Sequence, residues 1–161
     1  IKECPWATTG RVGGRKPNII TSLELRSEEM EVINLRIQKK YKEIEEKEVR
    51  FEEYLLEDAE YAIVAFGSAA RIAKKSIEIA RSQGIKVGLL RPITLWPFPT
   101  KEVQKLAGKV KGILSLEINA GQMVEDIRLA VAGSVPVQHF GRLGGIIPDP
   151  DEVVDAIKRL F

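Results

Sequence analysis

Few residues in this chain have the chemistry to act on a substrate. His139 is the only histidine and Cys4 the only cysteine among 161 residues. A histidine cluster, an internal disulfide, a cysteine-held zinc site and a four-cysteine iron–sulfur site are therefore all excluded within the chain. The remaining candidates fall in four short segments. Gly67-Ser68 stands just before a helical pattern that carries Arg71. Its backbone N–H groups could cradle an anion, or the pair could be a tight turn. The spacing matches neither a dinucleotide fingerprint nor a phosphate loop. Arg91-Pro-Ile-Thr-Leu-Trp-Pro-Phe-Pro99 contains three prolines, each of which fixes φ and restricts the residue before it. A loop so stiffened would present Arg91, Trp96 and Phe98 to a partner at little entropic cost. Alternatively, Trp96 folds back into the core of its own domain.

The third segment, Glu117-Ile-Asn-Ala-Gly-Gln122, holds a carboxylate, an amide able to cap the next helix (Asn119), and a glycine suited to close approach or unusual φ. No second carboxylate or nucleophile accompanies Glu117, so acid–base catalysis is the least favoured role. Loop architecture ranks first, followed by a subunit contact through Glu117, Asn119 and Gln122. In the fourth, His139 is followed by Gly141-Arg142-Leu-Gly-Gly145. A hydrogen-bonded structural histidine is expected there. Arg142 is either solvated or paired with a phosphate or a partner's carboxylate.

These segments must be positioned by regular elements. Charged residues make up 30% and hydrophobic residues 44% of the chain, ordinary values for a globular domain. The formal charge is +2, from 25 Lys and Arg against 23 Asp and Glu, which creates no field for nucleic acid or an anionic membrane. No apolar run is long enough to cross a bilayer, and a cytoplasmic location is expected. Short continuous apolar runs at 61–66, 87–90, 112–117 and 135–139 alternate with helical patterns at 69–83, 101–109 and 122–132. That alternation predicts a mostly parallel sheet with helices on both faces, a three-layer α/β fold. Pro136 places the last strand at an edge. Asp149, Pro150 and Glu152 form a capping box ahead of a final helix. With parallel strands, all four polar segments emerge at one rim, where open α/β sheets usually meet ligands and partners.

The chain ahead of this body divides in two. Residues 1–26 read as an irregular arm bearing Cys4, Pro5 and Trp6, an interface candidate. Residues 27–57 read as one long charged helix, with Ser27 as its cap and an apolar stripe of Met30, Ile37, Ile44 and Phe51. Eleven of sixteen side chains between Gln38 and Glu53 are charged. Pairs Lys39–Glu43, Lys42–Glu46, Glu43–Lys47 and Glu46–Arg50 stand at i,i+4, and Glu48 interrupts the apolar line. The α/β domain proper is assigned to 58–161. The arm predicts that the chain is the C-terminal part of a longer polypeptide.

The segments Val87–Pro99 and Glu117–Met123 resemble characteristic stretches in the alpha-type subunit of 2-oxoacid:ferredoxin oxidoreductases. The resemblance extends to Pro5–Gly10, Lys40–Glu45, Tyr61–Arg71 and Gly141–Gly145, and so to nearly the whole chain. It is nearest to the branched-chain, 2-oxoisovalerate type. It implies a fold similar to the C-terminal domain of transketolase. It also implies a role bracing subunits, within a complex that uses thiamine diphosphate, Mg²⁺ and iron–sulfur clusters to convert a 2-oxoacid and coenzyme A into acyl-CoA. The implied partners are the other subunits, an N-terminal domain of the same chain and, through the complex, ferredoxin. No catalytic residue of the family carries over, and no cofactor is expected on this chain alone. The alternative is a stand-alone module binding a nucleotide or other phosphate compound through Gly67, Ser68, Arg71, Arg91 and Arg142.

Overall fold

A computed structural model describes residues 10–19 and 21–160; Cys4, Trp6 and Phe161 lie outside them. Tertiary contacts divide the chain into residues 1–40 and 41–161. The first unit contains a single 3-10 turn, Val12–Gly14, among its described residues, and most of helix α1, Ser27–Lys47. The Arg26 carbonyl accepts the first helical bond, from the Met30 N–H. Arg26, not Ser27, is therefore the capping residue, and Ser27 already lies in the first turn. No residue of α1 is fully buried, and Met30, Ile33, Ile37 and Ile44 are half-buried.

The helix stops at Lys47 instead of running to Glu57. Residues Phe51–Tyr54 form strand β1, with Glu52 and Tyr54 half-buried and Phe51 and Glu53 exposed. Phe51 falls on the seven-residue stripe by coincidence, and the local period is 2. Side chains far away in sequence settle the matter. The Glu52 carboxylate accepts from Lys74 at 2.6 Å and from Arg91 at 2.9 Å, tying β1 to a neighbouring strand and to a covering helix. Lys74 above all, then Arg91, holds the Glu52 carboxyl below the usual carboxylate range. With the helix ended, Glu46 and Arg50 are no longer one turn apart, and Arg50 pairs with Glu48. None of the four expected i,i+4 pairs is within ion-pair distance among the described residues.

The remaining strands are β2 (Tyr61–Ala65), β3 (Val87–Pro92), β4 (Gly112–Glu117) and β5 (Val137–Gly141). The sheet order is β1-β3-β2-β4-β5. β1 pairs antiparallel to β3, and all other pairs are parallel. Helices α2 (Gly67–Ser82) and α5 (Pro150–Lys158) pack together on a core of Ile63, Leu89, Leu114 and Leu116. Helices α3 (Thr100–Ala107) and α4 (Met123–Val131) cover a second core with Val64, Leu90 and Ile113. Alternating side chains of buried strands supply both cores, giving three layers. β5 is an edge, as Pro136 required, with Pro136 just ahead of the strand and its carbonyl accepting from the Ile113 N–H. The capping box of α5 is present: the Asp149 carboxylate accepts from the Asp151 N–H and the Glu152 carboxylate from the Asp149 N–H.

The turn after β1 closes tightly on β3. Leu55 has a φ of +52°, and a Cβ added at Gly88 would collide with the Leu55 carbonyl oxygen and lie 2.7 Å from Leu56 Cδ2. Backbone cannot yield as a flexible side chain does. Gly88→Ala should lower the unfolding free energy by about 1–3 kcal/mol in urea titrations.

Candidate functional site

Parallel register fixes which turns share a rim. Ala65 pairs with Leu116, and Glu117 with Gly141, so the C-terminal ends of β2, β4 and β5 are level. Leu90 pairs with Val64 at the same end. Antiparallel β1 begins there too, since Phe51 faces Pro92. Along the rim the order is therefore Arg50, the 91–99 loop, Gly67-Ser68, the 117–122 loop and the 141–148 loop. The chain reverses its direction of travel across the sheet between β2 and β4, placing Gly67-Ser68 and Glu117–Gln122 at the switch point.

Glu117 organises the centre of this rim. It is the only charged residue that is fully buried among the described residues. Its Oε1 accepts from the Ser115 hydroxyl and the Val124 N–H, both at 3.0 Å. Its Oε2 accepts from the N–H groups of Gln122 at 3.1 Å and Met123 at 2.9 Å. These four donors fill the four acceptor sites of a carboxylate. Burial, the largest influence, pushes the Glu117 carboxyl up, but the N–H donors of Met123, Gln122 and Val124 and the Ser115 hydroxyl together outweigh it. The group lies below its ordinary value. The negative charge also sits at the positive end of α4. Loop architecture, the role placed first for this residue, is what the geometry shows.

Asn119 does not cap α4, because Glu117 already occupies that helix end. The Asn119 Oδ1 instead accepts from the Gly121 N–H at 2.7 Å, closing a turn within the loop. Gly121 has a φ of +105°, and a Cβ there would press on Val124 at 3.1 Å and touch the His139 ring at 3.5 Å. His139 Nε2 lies 3.8 Å from Glu117 Oε1, buried and without a hydrogen bond. The bond expected of this histidine is missing at Nε2 because the nearby oxygen already receives two donors. Nothing in its residue type singles out Ser115, but its place two residues before Glu117 puts both on one face of β4.

The other candidates are placed singly. Gly67 begins α2 with a φ of +55°, Phe66 offers the helix no side-chain cap, and Gly67, Ser68 and Arg71 are exposed. Gln122 is also exposed. Arg91 is engaged by Glu52 and Arg142 by Glu152 at 3.3 Å. Thr94 anchors the proline-rich loop to β1, with its Oγ1 accepting from the Arg50 N–H at 3.0 Å. Within that loop the two aromatics divide the work. Phe98 packs against the α3–α4 core. Trp96, followed by a cis peptide bond to Pro97, remains 56% exposed and stacks edge-on against Tyr41 at 5.4 Å between ring centres. From β3 to β5 is three strand spacings, about 14 Å. The rim is thus one surface with separate stations, and Trp96 and Arg142 do not meet in a single pocket. Among the described residues, no group of three or more His, Cys, Asp or Glu side chains is placed to hold a metal ion.

Comparison with known proteins gives this geometry a family. Residues 59–153 match the model of pyruvate:ferredoxin oxidoreductase core domain II. The chain belongs to that family. It is 44% identical over 158 residues to the ketoisovalerate oxidoreductase subunit VorB of Methanothermobacter thermautotrophicus, covering 98% of this chain and 44% of that protein. It is 30% identical to the 2-oxoglutarate synthase subunit KorA of Methanothermobacter marburgensis, over 65% of this chain and 28% of that one. The chain thus spans less than half the length of these relatives. A 2-oxoglutarate:ferredoxin oxidoreductase from Magnetococcus marinus superposes on 85% of this chain and 24% of its own, with a TM-score of 0.71 at 20% identity. A split-gene transketolase, an inactive β4 tetramer, does so on 69% and 41% with a TM-score of 0.60 at 17% identity. The last two establish the fold, which is the transketolase-like one the resemblance implied. The identity to the ketoisovalerate oxidoreductase subunit, 44%, exceeds that to the 2-oxoglutarate synthase subunit, 30%.

A carboxyl depressed by folding contributes stability above its unfolded value, near 4.5, and loses that contribution as pH falls through the folded value. Wild type should therefore weaken below about pH 4.5 in urea titrations, partly through Glu117. Glu117→Gln turns an amide NH₂ toward N–H donors and should cost about 2 kcal/mol at pH 7. It should also flatten the acid limb, and an unchanged limb would count against Glu117 as its source.

Proposed function

We propose that this chain is a structural and subunit-assembly domain of a 2-oxoacid:ferredoxin oxidoreductase acting on a branched-chain 2-oxoacid. The observation that carries this reading is the 44% identity to a ketoisovalerate oxidoreductase subunit across 98% of the chain. The 2-oxoglutarate synthase relative named above is also a subunit, which supports other polypeptides as partners. In the assembled enzyme, thiamine diphosphate with Mg²⁺ would supply the decarboxylation chemistry, iron–sulfur clusters would carry electrons to ferredoxin, and coenzyme A would take the acyl group. We place the complex in the cytoplasm; no helix among the described residues is long and apolar enough to cross a membrane.

The residues described here do not by themselves fit a thiamine site. Glu117, the buried carboxylate at the rim, has all its acceptor sites taken by its own chain. Arg91 and Arg142, two of the cations at this rim, face carboxylates of their own chain. The chain's part is then to hold shape. Glu117 fixes the 117–122 loop, the 91–99 loop offers Trp96, and exposed Gln122 and the 141–145 loop extend the surface. Trp6, Arg91, Phe98, Asn119 and Arg142 complete the proposed interface set. Phe98 and Asn119 act by supporting their loops, and Trp6 lies outside the described residues.

Exposed aromatic anchors dominate many interfaces. Tagged wild type and Trp96→Ala should therefore differ at least tenfold in the yield of co-purified subunits, while both remain folded by circular dichroism. Equal yields would remove Trp96 from the interface.

A further inference from the structure

Beside Trp96 lies a groove of about 600 Å³ between the end of α1, the start of β1, the proline-rich loop and the start of α3. Its walls combine Phe51, Trp96 and Phe98 with the carboxylates of Glu45, Glu46 and Glu102. One cation, Lys101, also lines it. None of the three carboxylates has an ion-pair partner among the described residues. Glu46 has lost Arg50 as a partner, because α1 ends before it, and it makes no ion pair with Lys42. Phe51 is 37% exposed and Trp96 56%, and Tyr41 holds the indole edge-on. An aromatic face fixed in place and flanked by unpaired carboxylates attracts a cation twice, through the ring quadrupole and through charge.

We propose that this groove receives a segment of a partner polypeptide carrying Arg or Lys next to aliphatic residues. The cationic head lies over Trp96 toward Glu45, Glu46 and Glu102, and the aliphatic neighbours cover Phe51 and Phe98. The proposal rests on the assembly reading above and adds the chemistry of the partner. Charge sets the choice of occupant: the lining carries three carboxylates and one ammonium. The adjoining hollow of about 170 Å³ sets Glu53, Glu57 and Glu102 against Lys105 and Lys109, so the excess of negative charge is larger at the Trp96 end.

Trp96 reports on the groove by fluorescence in a Trp6→Phe background, since the chain has only two tryptophans. The probes are an acetylated ten-residue peptide of alternating leucine and arginine and its leucine–glutamate counterpart. The arginine peptide should change the emission saturably, and the glutamate peptide should not. The triple change Glu45→Gln, Glu46→Gln, Glu102→Gln, the first two exposed and the third half-buried, should weaken binding at least fivefold, and raising salt from 50 to 500 mM should do the same. Equal response to both peptides, or unaltered affinity in the triple variant, overturns the proposal. So does a wild-type dimer in sedimentation that Trp96→Ala abolishes, which would make the occupant a second copy. In co-purification, subunit recovery that survives the triple change but not Trp96→Ala would leave the assembly role standing and remove the cationic occupant. Recovery that survives both would remove the assembly role as well.

Discussion

A single negative charge, buried beneath the first turn of a helix, sets the shape of this domain's central rim. Removing a carboxylate from water costs several kcal/mol unless the protein replaces its hydration. Glu117 meets that condition with three main-chain N–H groups and one hydroxyl. The arrangement also satisfies N–H groups at the start of α4 that would otherwise lack partners. One group thereby ends β4, starts α4 and fixes the path between them. Neighbouring residues inherit the consequences. Asn119 is released to close its own turn, Gly121 must take a backbone conformation open to glycine, and His139 is packed against an oxygen with no acceptor capacity left. A polar residue at the mouth of an α/β sheet is readily taken for a catalytic one. Here all four acceptor sites of the carboxylate are filled by donors of its own chain.

Much of this architecture could be read from residue order. Continuous apolar runs such as Tyr61–Phe66 and Gly112–Leu116 can be buried on both faces only inside a covered parallel sheet. Asp149-Pro150-Asp151-Glu152 names its own helix start through local hydrogen bonds alone. Failures came where distant partners outvoted local pattern. Phe51 continued a helical stripe, yet Lys74 and Arg91, neither of them near in sequence, drew Glu52 into a strand. Asn119 is a good capping residue by type, but no local rule reveals that a glutamate from the preceding strand reaches the same helix end first. The tally of i,i+4 charge pairs failed for a related reason. Such pairs are worth only tenths of a kcal/mol on an exposed helix, too little to hold long side chains together.

The proline-rich loop shows how one segment can serve both core and surface. Its buried prolines and Phe98 attach it to the α3–α4 side, Thr94 attaches it to β1, and Trp96 is left outside with Tyr41 as its brace. An exposed indole is a liability in a free-standing domain and an asset where other polypeptides cover it. That fits a chain whose relatives are named as subunits and exceed twice its length.

The two outer margins of the sheet carry a further implication. On one side, β1 presents Glu53 to solvent and turns away abruptly at Leu55. On the other, β5 is preceded by a proline, and Gln138 donates its side-chain amide to the Arg159 carbonyl. Short, charged or proline-flanked margins give a foreign backbone little to extend. Any larger assembly would then be joined by loops and side chains and not by a continuous sheet running from one polypeptide into the next, and the domain can crowd against copies of itself without templating fibres.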